Sequence, residues 1–347
     1  MEKTHTALYR KYRPRTFADV RGQQPIVKAL EGALLSGNIP HALLFAGPRG
    51  TGKTSMARIF AAAAGAKPID IYEIDAASNR GIDDIRGLRE AVHTLPYESP
   101  RKVYIIDEVH MLTKDAFSAF LKTLEEPPAH VMFILATTEQ EKLLDTVVSR
   151  CQMFQFKAPT RAMLAETVLD VARQETFALD TDAADLIALA ADGSFRDALG
   201  TMQKVIMASI DEKASVDEVA AIIGAPKGKL VMEVVTALHG QDAARGLAAI
   251  EAAQKENVEM KLFVRLILER VRAILLARHG SEKDNELVSL QEEDRSELVA
   301  FAKDAHSPIN SAALTRLLLA AEQTGRTYLP HLPLELAVIE LASKKPI

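Results

Sequence analysis

The stretch from Leu43 to Thr54, LLFAGPRGTGKT, decides what kind of fold this sequence can form. Three apolar residues lead into Gly47, and residues 47–54 then match the pattern G-x-x-x-x-G-K-[ST] of a phosphate-binding loop. Glycines let the backbone N–H groups of such a loop curl around a polyphosphate, and the following helix directs the positive end of its dipole at the same anion. The pattern therefore predicts a nucleotide-binding site between a buried strand and a helix.

The residue types of this loop predict individual contacts. Lys53 is expected to reach the β- and γ-phosphates as a point charge, and the Thr54 hydroxyl is expected to bind Mg²⁺. The nucleotide contacts predicted for the loop are made by Gly47, Gly50, Thr51, Gly52, Lys53, Thr54 and Ser55.

Two later strands end in residues that could complete this site. The apolar run ending at Ile106 is followed by Asp107, expected to help hold Mg²⁺, and Glu108, expected to polarise an attacking water. The next buried run ends in Thr137 and Thr138. A hydroxyl at that point either orients the water or caps the strand, and the sequence leaves both alternatives open.

Size and composition limit the class of protein. The chain has 347 residues, of which 48% are hydrophobic and 26% charged, enough for two or three domains with proper cores. Cys151 is the only cysteine, which excludes an intrachain disulfide, and no apolar signal or membrane-spanning segment is found in the sequence. We therefore expect a cytoplasmic protein that does not contact membranes. The net charge of −5 leaves room for a local basic face that binds nucleic acid.

The hydrophobic periodicity divides the chain in two. Four or five buried strands, most followed by a helix, predict a parallel sheet flanked by helices over about the first 157 residues. After Pro159 the strand pattern disappears, and the charged segment 280–294 is interpreted as a loop or helix end. The helices predicted in this part span residues 161–174, 180–191, 195–208, 229–238, 242–254, 260–278, 311–323 and 333–343.

With these elements in place, the sequence resembles the gamma/tau ATPase subunits of the bacterial DNA polymerase III clamp loader, within the AAA+ superfamily. The resemblance covers essentially the whole length. It implies an α/β AAA+ core over residues 1–158, an all-α lid over 159–224 and an all-α collar for oligomerisation over 225–347. The phrases that carry it are YRKYRPRTFADVRGQ, HALLFAGPRGTGKTSMAR, EIDAASNRGIDDIR, KVYIIDEVHML, FLKTLEEPP, FILATTEQEKL, SRCQMFQF and DGSFRDAL.

The resemblance implies roles that spacing alone does not. Thr138 corresponds to the sensor 1 residue, Arg196 to the sensor 2 arginine, and Arg150 to the arginine that completes the ATP site of a neighbouring subunit. Without the family, both arginines would be interpreted as surface residues paired with carboxylates. The residues alone leave two alternatives for the basic arm around Tyr9 and Arg13: a solvated arm, or a contact with nucleotide or nucleic acid. The resemblance places this arm near the adenine, and Val20 is also expected to bind the nucleotide.

The function implied by the resemblance is a motor that uses ATP and Mg²⁺ to open a sliding clamp and load it on primed DNA. Its partners would be the other subunits of a hetero-pentamer, the clamp and primer–template DNA. Arg80 and Lys114 are candidates for DNA phosphate contacts, with a solvated surface as the alternative. Because the family belongs to the polymerase holoenzyme, we expect such a subunit to be classified with the DNA polymerases. The sequence itself shows no polymerase carboxylate triad.

Two departures from the family pattern modify the expectation. The connection Gly65–Pro68 has no cysteine or histidine where family members commonly carry a four-cysteine zinc module, so zinc is not expected. The chain also stops just after its last predicted helix, which resembles a short gamma form or a truncation. Three alternatives remain: another AAA+ DNA motor such as a branch-migration ATPase, a small-molecule P-loop kinase, and a scaffold subunit that does not hydrolyse ATP.

Overall fold

A computed structural model of the protein describes residues 6–79, 81–280 and 292–343. Contacts divide the chain between Val216 and Asp217 into two compact units. The division into a core, a lid and a collar stays a prediction. No helix in the described ranges is both long and apolar enough to cross a membrane.

The first unit is built on a five-stranded sheet. The strands are β1 (Ala42–Ala46), β2 (Ile71–Asp75), β3 (Lys102–Asp107), β4 (Val131–Thr137) and β5 (Gln152–Gln155). Each strand pair is parallel, and the order across the sheet is β2-β3-β4-β1-β5. Every residue of β1 and β4 is buried, as expected for a sheet covered on both faces.

Helices cover both faces of this sheet, so the predicted α/β architecture is confirmed. Leu30 and Phe60 belong to the apolar cluster on one face, and Leu88 and Phe120 to the cluster on the other. The helices are α1 (Leu8–Lys11), α2 (Gln24–Leu35), α3 (Lys53–Ala63), α4 (Ile82–Ala91), α5 (Lys114–Glu125) and α6 (Asp145–Val148).

The strand register aligns the carboxyl ends of the central strands. Ala46 pairs with Thr137, and Asp75 pairs with Asp107. The residue that follows each strand therefore lies at the same edge of the sheet. This edge is where ligands bind in open α/β sheets.

Three helices follow the sheet within the first unit: α7 (Arg161–Gln174), α8 (Thr181–Ala190) and α9 (Phe195–Ala208). The Ser194 hydroxyl caps α9 by accepting a hydrogen bond from the Asp197 N–H. The expectation of no strands here was wrong in one detail, because β6 (Ala178–Leu179) and β7 (Lys213–Ala214) pair in parallel. Strands of two residues are too short to produce an alternating pattern.

The second unit is helical in all its described elements. Phe263, Ile267 and Ile274 of its longest helix are fully buried in a shared apolar core. The predicted charged segment lies mostly outside the described residues, and one helix that begins at Glu292 was missed. The helices are α10 (Val216–Ile223), α11 (Gly228–Gly240), α12 (Ala243–Lys255), α13 (Met260–Arg278), α14 (Glu292–Lys303), α15 (Ser311–Thr324) and α16 (Leu332–Ala342).

Candidate nucleotide site

The loop between β1 and α3 needs glycine at two positions for both conformational and steric reasons. Gly47 has φ +146°, and a Cβ there would lie 2.4 Å from the Phe156 carbonyl oxygen. Gly50 has φ +73°, and its Cβ would lie 2.0 Å from the Ser194 hydroxyl. The Phe195 N–H also donates to the Gly50 carbonyl at 3.1 Å. These contacts hold the start of α9 directly against the loop.

Lys53 supplies a buried positive charge to this loop. Its side chain is among the few charged ones that are buried, and its ammonium donates to the carbonyls of Gly47 at 2.7 Å and Pro48 at 2.8 Å. Burial lowers the pKa of Lys53, while Glu108 and Asp107 act in the opposite direction. An ammonium group held within a loop of this kind is suited to a polyphosphate.

Thr54 and Asp107 form a pair of oxygen ligands. The Thr54 hydroxyl donates to Oδ2 of Asp107 at 2.7 Å, joining the first turn of α3 to the end of β3. Mg²⁺ prefers oxygen ligands and is commonly held by one or two protein groups together with substrate phosphates. The pair therefore fits that ion. The described residues contain no group of three or more His, Cys, Asp or Glu side chains placed to hold a metal, and the expected absence of zinc stays a prediction.

Glu108 is held in one orientation at the end of β3. Its backbone is left-handed, with φ +48°, a strained conformation for a residue with a side chain. Its Oε2 accepts hydrogen bonds from the Thr138 hydroxyl at 2.9 Å and from the Thr138 N–H at 3.2 Å. Thr138 thus contacts the carboxylate predicted to activate water. Of the two alternatives for this hydroxyl, the geometry favours the one within the site.

A histidine next to this pair was missed in the sequence. The His110 side chain is only 6% exposed, and its Nδ1 lies 2.9 Å from the Thr137 hydroxyl and 3.5 Å from Oε2 of Glu108. Its Nε2 lies 3.2 Å from Oε2 of Glu139. Its position two residues after Glu108 indicates that it lies near the site. Its contacts with Thr137 and Glu139 depend on the alignment of β3 with β4, which the sequence does not show.

The N-terminal arm is packed against the helices that follow the sheet. The Leu8 N–H donates to the Gln203 side chain at 3.0 Å, and the Lys11 ammonium donates to Glu175 at 2.6 Å. These contacts place Tyr9 and Arg13 at the rim of the loop. The alternative of a freely solvated arm does not describe these residues.

The structure brings most of the predicted residues into one pocket. Thr138 adjoins it through Glu108, and Gly47 is buried at the start of the loop. Lys114 is exposed at the start of α5, and Arg80 lies outside the described residues. The predicted residues that line the pocket are Tyr9, Arg13, Val20, Gly50, Thr51, Gly52, Lys53, Thr54, Ser55, Asp107, Glu108 and Arg196.

Arg150 does not line this pocket. It follows α6, and its guanidinium donates to Glu125 and, at 2.6 Å, to the Thr146 carbonyl. The adjacent Cys151 packs against the apolar cluster under α4 and α5, and burial raises the pKa of its thiol to about 12. Among the predicted catalytic residues, Glu108 and Thr138 therefore contact each other, whereas Arg150 lies away from the pocket.

The fold is shared with solved structures of a branch migration motor. The Thermotoga maritima RuvB Holliday junction branch migration motor matches with a TM-score of 0.52 and 21% identity, over 72% of this chain and 86% of that one. At this identity the likeness concerns the fold alone. Together with the loop after β1, the acidic pair after β3 and the hydroxyl after β4, it defines a P-loop nucleotide-binding fold of the AAA+ type.

Family profiles and relatives narrow this class. The profile for DNA polymerase III subunits gamma and tau domain III matches residues 214–347, the DNA polymerase III delta subunit profile matches residues 65–160, and the magnesium chelatase subunit ChlI profile matches residues 16–108. DNA polymerase III subunit tau from Bacillus subtilis is 39% identical over 79% of this chain and 52% of its own length. The Escherichia coli tau subunit is 36% identical over 83% of this chain and 48% of its own length.

The chain belongs to the gamma/tau family of DNA polymerase III subunits. It spans about half the length of the relatives that it matches.

Proposed function

We propose that this chain is an ATP-hydrolysing motor subunit of a clamp loader, which opens a sliding clamp and loads it on primed DNA. The observation that carries the proposal is the pairing at the sheet edge: Thr54 with Asp107, and Glu108 with Thr138. The first is a candidate metal-binding pair, which joins α3 to the end of β3. The second is a candidate water-activating pair, which joins the ends of β3 and β4. Both lie beside Lys53.

Each residue has a role in the proposed reaction. Lys53 and the loop N–H groups bind the phosphates, and Thr54 and Asp107 would hold Mg²⁺, which supplies charge neutralisation during phosphoryl transfer. Glu108 accepts a proton from the attacking water, and Thr138 keeps its carboxylate oriented. Arg196 reaches the pocket from α9, because the Gly50–Ser194 packing holds that helix against the loop.

The adenine is proposed to lie against the N-terminal arm. Tyr9, Tyr12 and Val20 line the pocket with apolar surface, beside the loop that would hold the phosphates. Aromatic and aliphatic side chains suit the faces of a purine base. We propose that the nucleotide bound here is ATP.

Assembly into a hetero-pentamer is proposed to use the region of residues 225–347 as a collar, with a core over 1–158 and a lid over 159–224. Apolar side chains on α15, on α16 and between them remain exposed in this chain. Leu318 is 50% exposed and Leu336 is 48% exposed. An apolar helix face of this kind is typical of an interface between subunits.

The experiment measures the ATPase rate of the chain reconstituted with its partner subunits. We expect strong stimulation when primed DNA and the sliding clamp are added together, and little with either alone. The related alternative, a branch-migration motor, predicts stimulation by four-way DNA junctions and no response to the clamp. A P-loop kinase would instead transfer phosphate to a small molecule, and a scaffold subunit would not hydrolyse ATP.

A further inference from the structure

A second pocket, lined by arginines, lies beside the nucleotide pocket. The two pockets share Tyr9, Arg13, Arg49 and Arg196. Arg10 and Arg58 line only the second one, which we call the arginine pocket. None of the roles proposed above uses Arg10, Arg49 or Arg58.

Positive charge exceeds negative charge in this pocket. Arg58 donates to both carboxylate oxygens of Glu73, and Arg49 lies 4.0 Å from Asp197. The other three arginines, at positions 10, 13 and 196, form no ion pair with a carboxylate among the described residues. Five guanidinium groups therefore face two carboxylates.

The arginines are close enough to act on one another. Burial lowers the pKa of Arg13, and the charge of Arg58 acts in the same direction. Glu73 opposes both effects, and the charges of Arg196 and Arg10 lower the pKa by smaller amounts. Like charges held together in a partly desolvated place are unfavourable unless an anion compensates them. The repulsion among these arginines would therefore be relieved when an anion enters the pocket, which favours anion binding there.

Tyr9 orients two of these groups. The guanidinium carbons of Arg10 and Arg196 each lie 5.8 Å from the centre of the Tyr9 ring. Contact with an aromatic ring holds a planar guanidinium and leaves its N–H groups free to donate. Guanidinium groups match the oxygens of phosphate in paired hydrogen bonds, which a single ammonium group cannot form.

We propose that the arginine pocket is a second anion site, beside the phosphate position of the loop, that binds inorganic phosphate. Its source, which rests on the proposed function, is the phosphate released by hydrolysis in the adjoining nucleotide pocket. The pocket would hold this product after it leaves the loop and before it enters solvent.

The first test is the binding of inorganic phosphate to the full chain saturated with MgADP, measured by calorimetry at constant ionic strength. Arg10→Gln and Arg58→Gln should each weaken phosphate binding about tenfold, the effect of losing about one charge-assisted hydrogen bond. Glu73→Gln should strengthen it, because Arg58 is released from its carboxylate. The matched control is Arg86→Gln, which removes an exposed arginine paired with Asp83 on α4 and should change nothing.

The outcomes separate this proposal from the proposed function. MgADP affinity and the melting temperature, measured on the same variants, show that the fold and the nucleotide pocket are intact. Equal phosphate affinity in the wild type, Arg10→Gln and Arg58→Gln would overturn the arginine pocket even if ATP is hydrolysed. Loss of all phosphate binding on saturation with MgADP would also overturn it, since phosphate would then bind only at the loop.

A second test addresses the source of the phosphate. In a single turnover of the reconstituted assembly, a fluorescent phosphate sensor should detect release after hydrolysis, and Arg10→Gln should shorten that delay. If Arg10→Gln lowers the phosphate affinity but leaves the delay unchanged, the pocket binds phosphate from solution and does not hold the phosphate released by hydrolysis.

Discussion

The sheet edge and the segment around Arg150 differ in how their functional residues are held. At the sheet edge each predicted residue contacts another: Thr54 contacts Asp107, and Glu108 contacts Thr138. Arg150 contacts Glu125 and nearby backbone outside that pocket, with about a third of its side chain exposed. We therefore propose different roles for the two regions: the sheet-edge residues act within their own chain, and Arg150 acts on another subunit after it leaves Glu125.

The largest effect is expected from Lys53→Ala. This substitution removes the buried ammonium of the loop, and a charge-assisted contact to phosphate cannot be replaced by a methyl group. Nucleotide binding should be lost in a fluorescent-nucleotide titration, while the melting temperature of the free chain stays near that of the wild type. Retained affinity would mean that the loop is not the phosphate site.

Glu108→Gln should separate binding from hydrolysis. The amide keeps the shape of the carboxylate but is a poor proton acceptor, so hydrolysis should fall by about 100-fold or more while ATP affinity changes little. The measurement is the steady-state ATPase rate beside the same titration. A parallel fall in affinity and rate would contradict the role given to Glu108.

A smaller effect is expected from His110→Ala, because His110 acts through its neighbours. Without its contacts to Thr137 and Glu139, the Glu108 carboxylate loses part of its orientation, and kcat should fall about tenfold, or about 1.4 kcal/mol, with KM nearly unchanged. His93→Ala, which changes an exposed histidine, is the control. A change confined to KM would indicate that His110 contacts the nucleotide or only supports the fold.

The smallest change concerns Cys151, which anchors the segment that presents Arg150. With a thiol pKa of about 12, about one molecule in ten thousand carries the thiolate at pH 8. Alkylation by iodoacetamide should therefore be slow in the folded protein and become fast in denaturant. Rapid alkylation of the folded chain would show that this segment opens, and would contradict the description of Arg150 as held by fixed contacts.

Sequence patterns predicted the parts of the site that depend on local order. The loop, the acidic pair after β3 and the hydroxyl after β4 each follow an apolar run, so their place at one edge follows from a parallel sheet. The helix at Glu292 was missed because its first turn is strongly charged and its apolar residues are confined to 298–302, near its end.

Contacts between distant parts of the chain could not be predicted in this way. Arg196 reaches the pocket because the Ser194 side chain packs on Gly50, and His110 reaches Glu139 because β3 and β4 pair in one register. Both contacts join segments that are distant in the sequence, so local spacing could not predict them. The role of Arg196 was available only from the family resemblance, and His110 required the structure.

The most direct test of whether Arg150 acts on a neighbouring subunit is complementation between two inactive variants. Arg150→Ala should bind ATP nearly normally yet hydrolyse it about a thousandfold more slowly, since an arginine supplied from a neighbour stabilises the charge of the transition state. Assemblies that mix Arg150→Ala subunits with Lys53→Ala subunits contain some interfaces with an intact loop and an intact arginine. The ATPase activity should partly return in these mixtures. If it stays as low as in either parent while subunit exchange is confirmed, Arg150 does not act across subunits.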